Sequence, residues 1–111
     1  MKQSVFELQA EICKTLANPK RLEIIACLRG DELSAGALAK KLGIAKANLS
    51  QHLAVLRARG IVIARRDGVK VYYRISSPRI TEACAMMKSV LMEQFEDKGR
   101  TAKEMKGRGK K

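Results

Sequence analysis

The chain has 111 residues, 46% of them hydrophobic, enough for one small domain with a thin core. Lysine and arginine total 23 against 11 aspartates and glutamates, and the resulting charge of +12 points to a polyanionic partner, nucleic acid ahead of a membrane surface. No apolar run approaches the roughly 18 residues of a membrane span, and Met1-Lys2-Gln3-Ser4-Val5-Phe6-Glu7 lacks the apolar stretch of a secretory signal, so a cytoplasmic protein is expected. Cys13, Cys27 and Cys84 are odd in number and far apart, which suits a reducing compartment rather than a disulfide framework.

A first amphipathic helix is predicted from about Ser4 to Leu16. Val5, Leu8, Ile12 and Leu16 make one stripe, and Phe6, Ala10, Cys13 and Ala17 make a second beside it. Together they cover a broader arc than packing on a single neighbour requires, so this helix is expected to meet both its own core and another subunit. Asn18 then caps a second helix with Pro19 at its first position, where a missing backbone donor costs nothing. That helix is expected to run to about Arg29 before Gly30. With Leu22, Ile24, Ile25, Ala26, Cys27 and Leu28 it is apolar nearly all round, which predicts burial on most sides.

Ser34 caps a short third helix in which Leu38, Ala39 and Leu42 pack, Lys40 and Lys41 face out, and Gly43 ends the run. Only Gly43-Ile44 separates it from a fourth helix beginning near Ala45, and two short helices joined by a glycine turn form a helix-turn-helix. Leu49, Leu53 and Leu56, with Val55 beside them, make the apolar face of that fourth helix, while Lys46, Asn48, Ser50, Gln51 and Arg57 crowd the rest. Asn and Gln make paired hydrogen bonds to an adenine edge, Ser reaches bases or phosphates, and Lys and Arg neutralise phosphate. The fourth helix therefore reads as the element that enters a DNA major groove. Its start is weak, since Ala45 stands where Ser, Thr or Asp would cap better.

After Gly60 the period falls to two, through Ile61-Val62-Ile63-Ala64-Arg65-Arg66, Asp67-Gly68 and Val69-Lys70-Val71-Tyr72-Tyr73-Arg74-Ile75. A hairpin with Asp67-Gly68 as a type I′ turn would set Arg66 opposite Val69, Arg65 opposite Lys70 and Ile63 opposite Tyr72. Val62, Ala64, Val71, Tyr73 and Ile75 then face the core, and Arg65, Lys70, Tyr72 and Arg74 face away. Six basic residues and one acidic residue lie between Arg57 and Arg74, so the charge excess falls beside the proposed DNA-reading helix.

A last helix is predicted from Pro78 to about Asp97. Ile80, Ala83, Cys84, Met87, Val90, Leu91 and Phe95 keep helical spacing, and Met86 and Met92 widen the stripe. So small a domain has little interior for them, which predicts a homodimer through the first and last helices. From Lys98 to Lys111, seven basic residues face Glu104 alone, half of the net charge, and this tail (98–111) is expected to be disordered beside a folded domain spanning 1–97.

The segments Leu16 to Ile25, Glu32 to Ala39, Leu49 to Arg57 and Arg66 to Arg74 resemble the ArsR/SmtB family of bacterial repressors over roughly residues 4 to 97. The resemblance implies a mainly α winged helix-turn-helix with five helices and a two-stranded wing. It implies a dimer that leaves inverted-repeat operator DNA when an inducer binds, often a metal or a thiol-reactive species. The family's DNA-reading positions map onto Lys46, Asn48, Ser50, Gln51 and His52, with the wing at Arg65 to Lys70. Adding Arg57, Arg66 and Tyr72 completes the candidate DNA-contacting set.

The family's best-known inducer sites are where the chain departs. Ser34, Ala35 and Gly36 stand where arsenic and cadmium sensors of the family carry Cys-Val-Cys. His52 is the one histidine, so the zinc and nickel set along the last helix has no histidines. Cys27 and Cys84 have the general distribution of the thiol pair in relatives that sense persulfides or oxidants, although Cys27 falls one residue late and Cys84 lies near the start of its helix. Cys13, Cys27 and Cys84 are thus candidate sensing thiols for a soft metal, a metalloid or an oxidant, against the plainer reading that they pack as small hydrophobes. The methionines read as interface core, and His52 as a hydrogen-bonding residue rather than a metal ligand. A nonspecific, chromatin-like nucleic-acid binder without inducer response is the alternative. An enzyme has little to stand on, with no glycine-rich phosphate loop, no paired histidines and no nucleophile with a partner base.

Overall fold

A computed structural model describes residues 3–97. The expected basic tail, 98–111, lies outside the described residues. The element order is α1 (Val5–Leu16), α2 (Pro19–Cys27), β1 (Leu33–Ser34), α3 (Ala35–Leu42), α4 (Lys46–Ala58), β2 (Val62–Asp67), β3 (Lys70–Ile75) and α5 (Pro78–Asp97). The chain divides into two compact units, one through Thr81 and one from Glu82 onward, with the boundary inside α5.

Local chemistry sets the helix ends. Ser4 and Glu7 form a reciprocal capping box at the start of α1, each side chain accepting from the other's backbone N–H at 3.0 and 2.9 Å. Asn18 caps α2 by accepting from the Arg21 backbone N–H, and Ser34 caps α3 by accepting from Ala37. Gly43 closes α3 in the left-handed region at φ 64°, where a side chain would be strained. Ala45 gives α4 no side-chain cap, as its sequence foretold.

The core of the first unit is aliphatic. Ile24, Ile25 and Leu28 of α2 and its cap meet Leu38 and Ala39 of α3, Leu49, Leu53 and Leu56 of α4, and Ile61 and Val62 at the entry to β2. The expectation that α2 is buried on most sides is corrected: Leu22 and Ala26 are exposed, and the helix ends at Cys27 rather than near Arg29. Its neighbours α1, α3 and α4 do not enclose that side of so short a helix.

The wing differs from expectation in two ways. It has three strands in the order β1-β3-β2, because Leu33 and Ser34 pair with Tyr73 and Tyr72. Two residues carry no readable period, which is why the third strand is silent in the sequence. The hairpin register pairs Asp67 with Lys70, Arg66 with Val71, Arg65 with Tyr72 and Ile63 with Arg74. The turn residues are therefore Gly68 and Val69. Among the described residues only glycines have positive φ, with Gly68 at 65°, so a type I′ turn, which needs φ above zero at both central positions, is excluded. Every partner moved by two positions, and because strand side chains alternate with period two the faces are those expected. Val62 is buried, Ala64, Val71, Tyr73 and Ile75 are half-buried, and Arg65, Lys70 and Arg74 are exposed, whereas Tyr72, expected outward with them, is half-buried beneath Arg65.

The apolar stripe of α5 is largely open in the single chain: Met86 and Met87 are 67% and 64% exposed, and Val90, Leu91 and Met92 are also exposed. On α1, Val5 and Phe6 are 76% and 80% exposed. Among the described residues no helix is long and apolar enough to cross a membrane.

Candidate nucleic-acid interface

Leu49, Leu53 and Leu56 recur at helical spacing and are at most 2% exposed, so they fix how α4 is rotated. That rotation turns Lys46, Asn48, Ser50, Gln51 and Arg57 to solvent. Ala47 and Ala54, also exposed, lie among them.

His52 behaves differently from its neighbours. It is half-buried, and its Nδ1 accepts a hydrogen bond from Arg21 Nε at 3.2 Å. Arg21 Nη1 also donates to the Thr15 carbonyl at 3.0 Å, so one guanidinium links the end of α1 to the middle of α4. Arg21 was not among the candidates. A basic residue in a helix flank gives no hint from sequence that its partner lies 31 positions away.

On the wing, Arg65 is gripped by Glu32. Nε and Nη2 donate to the two carboxylate oxygens at 3.0 and 2.9 Å, and the guanidinium carbon lies 4.8 Å from the centre of the Tyr72 ring. Hydrogen bonding from Arg65 holds the Glu32 carboxyl below its ordinary range, helped by the charge of Arg74, and Glu32 in turn raises the Arg65 pKa. Lys70 shares this face near the tip. Arg66, paired with Val71, is exposed on the opposite face. The ten candidates thus divide into an open set of five on α4, an anchored histidine, three wing cations on both faces of the ribbon, and half-buried Tyr72 beneath Arg65.

The thiols are free. Cys13 is exposed, Cys27 and Cys84 are half-buried, and burial raises the Cys84 pKa. Among the described residues no group of three or more His, Cys, Asp and Glu side chains gathers closely enough to hold a metal ion.

This geometry has close counterparts among known proteins. A family model described as a helix-turn-helix domain matches residues 16–64. The HTH-type transcriptional regulator Rv0081 of Mycobacterium tuberculosis is 37% identical over 108 residues, covering 96% of this chain and 95% of the relative. Its crystal structure superposes with a TM-score of 0.77 at 40% identity, covering 87% of this chain and 98% of that one. The homodimeric winged helix-turn-helix DNA-binding domain of Mb0332 from Mycobacterium bovis, described as a possible ArsR-family regulator, gives a TM-score of 0.76 at 32% identity, over 86% of this chain and 93% of that one.

The chain belongs to the ArsR/SmtB family. The transcriptional repressor BigR of Xylella fastidiosa is a further structural relative, with a TM-score of 0.68 at 34% identity over 73% of this chain and 83% of that one. This ArsR-family protein is accordingly a winged helix-turn-helix transcriptional regulator. In its numbering α3 and α4 are the helix-turn-helix, and β1, β2 and β3 form the wing.

Proposed function

We propose that this protein is a dimeric repressor whose two α4 helices read successive major grooves of an inverted-repeat operator, through Lys46, Asn48, Ser50, Gln51 and Arg57. Arg65, Arg66, Lys70 and Tyr72 of the wing act on the flanking backbone. The observation that carries the reading is the division of α4 into a leucine face locked in the core and a polar face on which Lys46, Asn48, Ser50, Gln51 and Arg57 are open to solvent. The pairing of protomers through α1 and α5 is supported by the open apolar stripes on both helices. The homodimeric state of the Mb0332 domain lends it further support.

Release from DNA is assigned to a thiol-reactive inducer, a soft metal, metalloid, oxidant or persulfide, acting at Cys13, Cys27 or Cys84. What favours thiols is that Cys13, Cys27 and Cys84 are free while the single histidine, His52, is committed to Arg21.

The test uses duplexes selected from a randomised pool by the wild-type protein. A selected inverted repeat should be bound at least about a thousandfold more tightly than a scrambled duplex, and the preference should shrink at particular base pairs in Gln51→Ala. Equal affinity for both duplexes would instead make the protein a nonspecific, chromatin-like binder. Adding As(III), copper(I), oxidant or persulfide should release the duplex from wild type and not from the responsible Cys→Ser variant. A full response in all three single variants and in the triple variant would overturn the thiol assignment.

A further inference from the structure

Beside the polar face of α4 an open recess is lined by Asn18 and Lys20 from the start of α2, Ile44 from the turn, and Asn48, Gln51 and His52. No carboxylate lines it. Two of its side chains have had their acceptors taken by a single residue. The Arg21 backbone N–H donates to Asn18 Oδ1 at 3.1 Å, and Arg21 Nε donates to His52 Nδ1 at 3.2 Å.

The consequence follows from what each group has left to offer. An Asn whose oxygen is engaged retains a free NH2. A neutral histidine that accepts at Nδ1 must carry its proton on Nε2. Arg21 thus fixes one amide orientation and one imidazole tautomer, and both leave donors. Lys20 adds a cation held only by an exposed contact to Glu23 at 3.2 Å, a pairing of the kind that water and salt readily exchange. A concave site with donors, a cation and no anion suits an anionic oxygen.

We propose that this recess is a phosphate-binding site that seats one backbone phosphate of the DNA duplex next to α4, with Asn18, Lys20 and His52 as donors and Arg21 as the residue that positions two of them. This rests on the reading above, in which α4 enters the major groove: a strand running along that groove passes the flank of the helix where the recess opens. The contact would set how deeply α4 sits without reading sequence, the usual division of labour between phosphate and base contacts.

The test has a part independent of DNA. As His52 is the only histidine, long-range proton–nitrogen NMR on the full chain reports its tautomer directly. The Nε2–H form is expected in wild type, and the Nδ1–H form would overturn the proposal. Asn18→Asp keeps a good helix cap while replacing the free NH2 by an anionic oxygen. It should leave the thermal midpoint unchanged and weaken selected and scrambled duplexes alike, by about tenfold. Asn18→Ser, which keeps the cap without adding charge, should weaken both by a smaller factor. Unchanged binding in Asn18→Asp, or a loss confined to the selected duplex, would overturn the phosphate assignment. Failure of the underlying reading looks different: wild type would not distinguish the selected from the scrambled duplex at all.

Discussion

Glu32 holds Arg65 through both carboxylate oxygens, at 2.9 and 3.0 Å, on the outer face of the wing. The pair joins the residue preceding β1 to the middle of β2, across β3, and lays the guanidinium over Tyr72. A cation proposed to meet DNA is thereby kept in one orientation by an anion that DNA phosphate must outcompete. Exposed pairs contribute little to stability, so the bridge matters for orientation and for charge more than for folding.

Replacing Glu32 by Gln should raise affinity for any duplex by several-fold and steepen the salt dependence by up to about one unit of log affinity per log salt, the effect of one added phosphate contact. Asp31→Asn, a nearby charge removal without a broken bridge, is the control. An equal gain in both variants, measured by anisotropy across a salt series, would reduce the effect to general electrostatics.

The same pair gives a pH signature. The folded-state pKa of Glu32 is depressed below its ordinary value of 4.5, so the bridge is fully present above that value and is lost as pH falls through the lower folded value. The Arg65 Nε–H resonance, sharp and shifted at pH 6, should persist through pH 4.5 and disappear only in more acid solution. In Glu32→Gln it should be absent from that position at every pH.

Gly68 and Val69 separate structural from cosmetic positions in the turn. Gly68→Ala places a Cβ at φ 65° and should lower stability by about 1 kcal/mol in urea unfolding. Val69, 96% exposed, should accept Lys within about 0.5 kcal/mol.

Leu53→Ala should cost about 3 kcal/mol by opening a cavity beneath α4, and DNA binding should fall with the loss of fold. Gln51→Ala, two residues earlier and on the opposite, open face, should leave the unfolding midpoint unchanged and alter only base preference. Calorimetry on the two variants separates the helix's supporting face from its reading face.

Phe6 is 80% exposed in a single chain, so Phe6→Asp should not unfold a protomer, yet it should shift sedimentation equilibrium to the monomer. Operator affinity should fall steeply, because one protomer retains only one half-site. A dimer unaffected by Phe6→Asp and by Met87→Asp would place the interface elsewhere.

The helices of this protein were legible from sequence because each is written in local terms. Asn18 and Ser34 cap, Gly43 stops, and leucines at helical spacing declare the buried side of α4, so its polar side follows by subtraction. The faces of the hairpin were equally fixed by alternation, even with the partner register displaced. What only the tertiary structure decided is which distant groups meet: β1 against β3, Glu32 against Arg65, and Arg21 against His52. Those pairings join residues about 30 or more positions apart, and no periodicity along a chain encodes which side chain waits across a fold. They arise only when the leucine core fixes the helices and strands in space, and that is why the orientation of His52 and Arg65, rather than their presence, had to come from the structure.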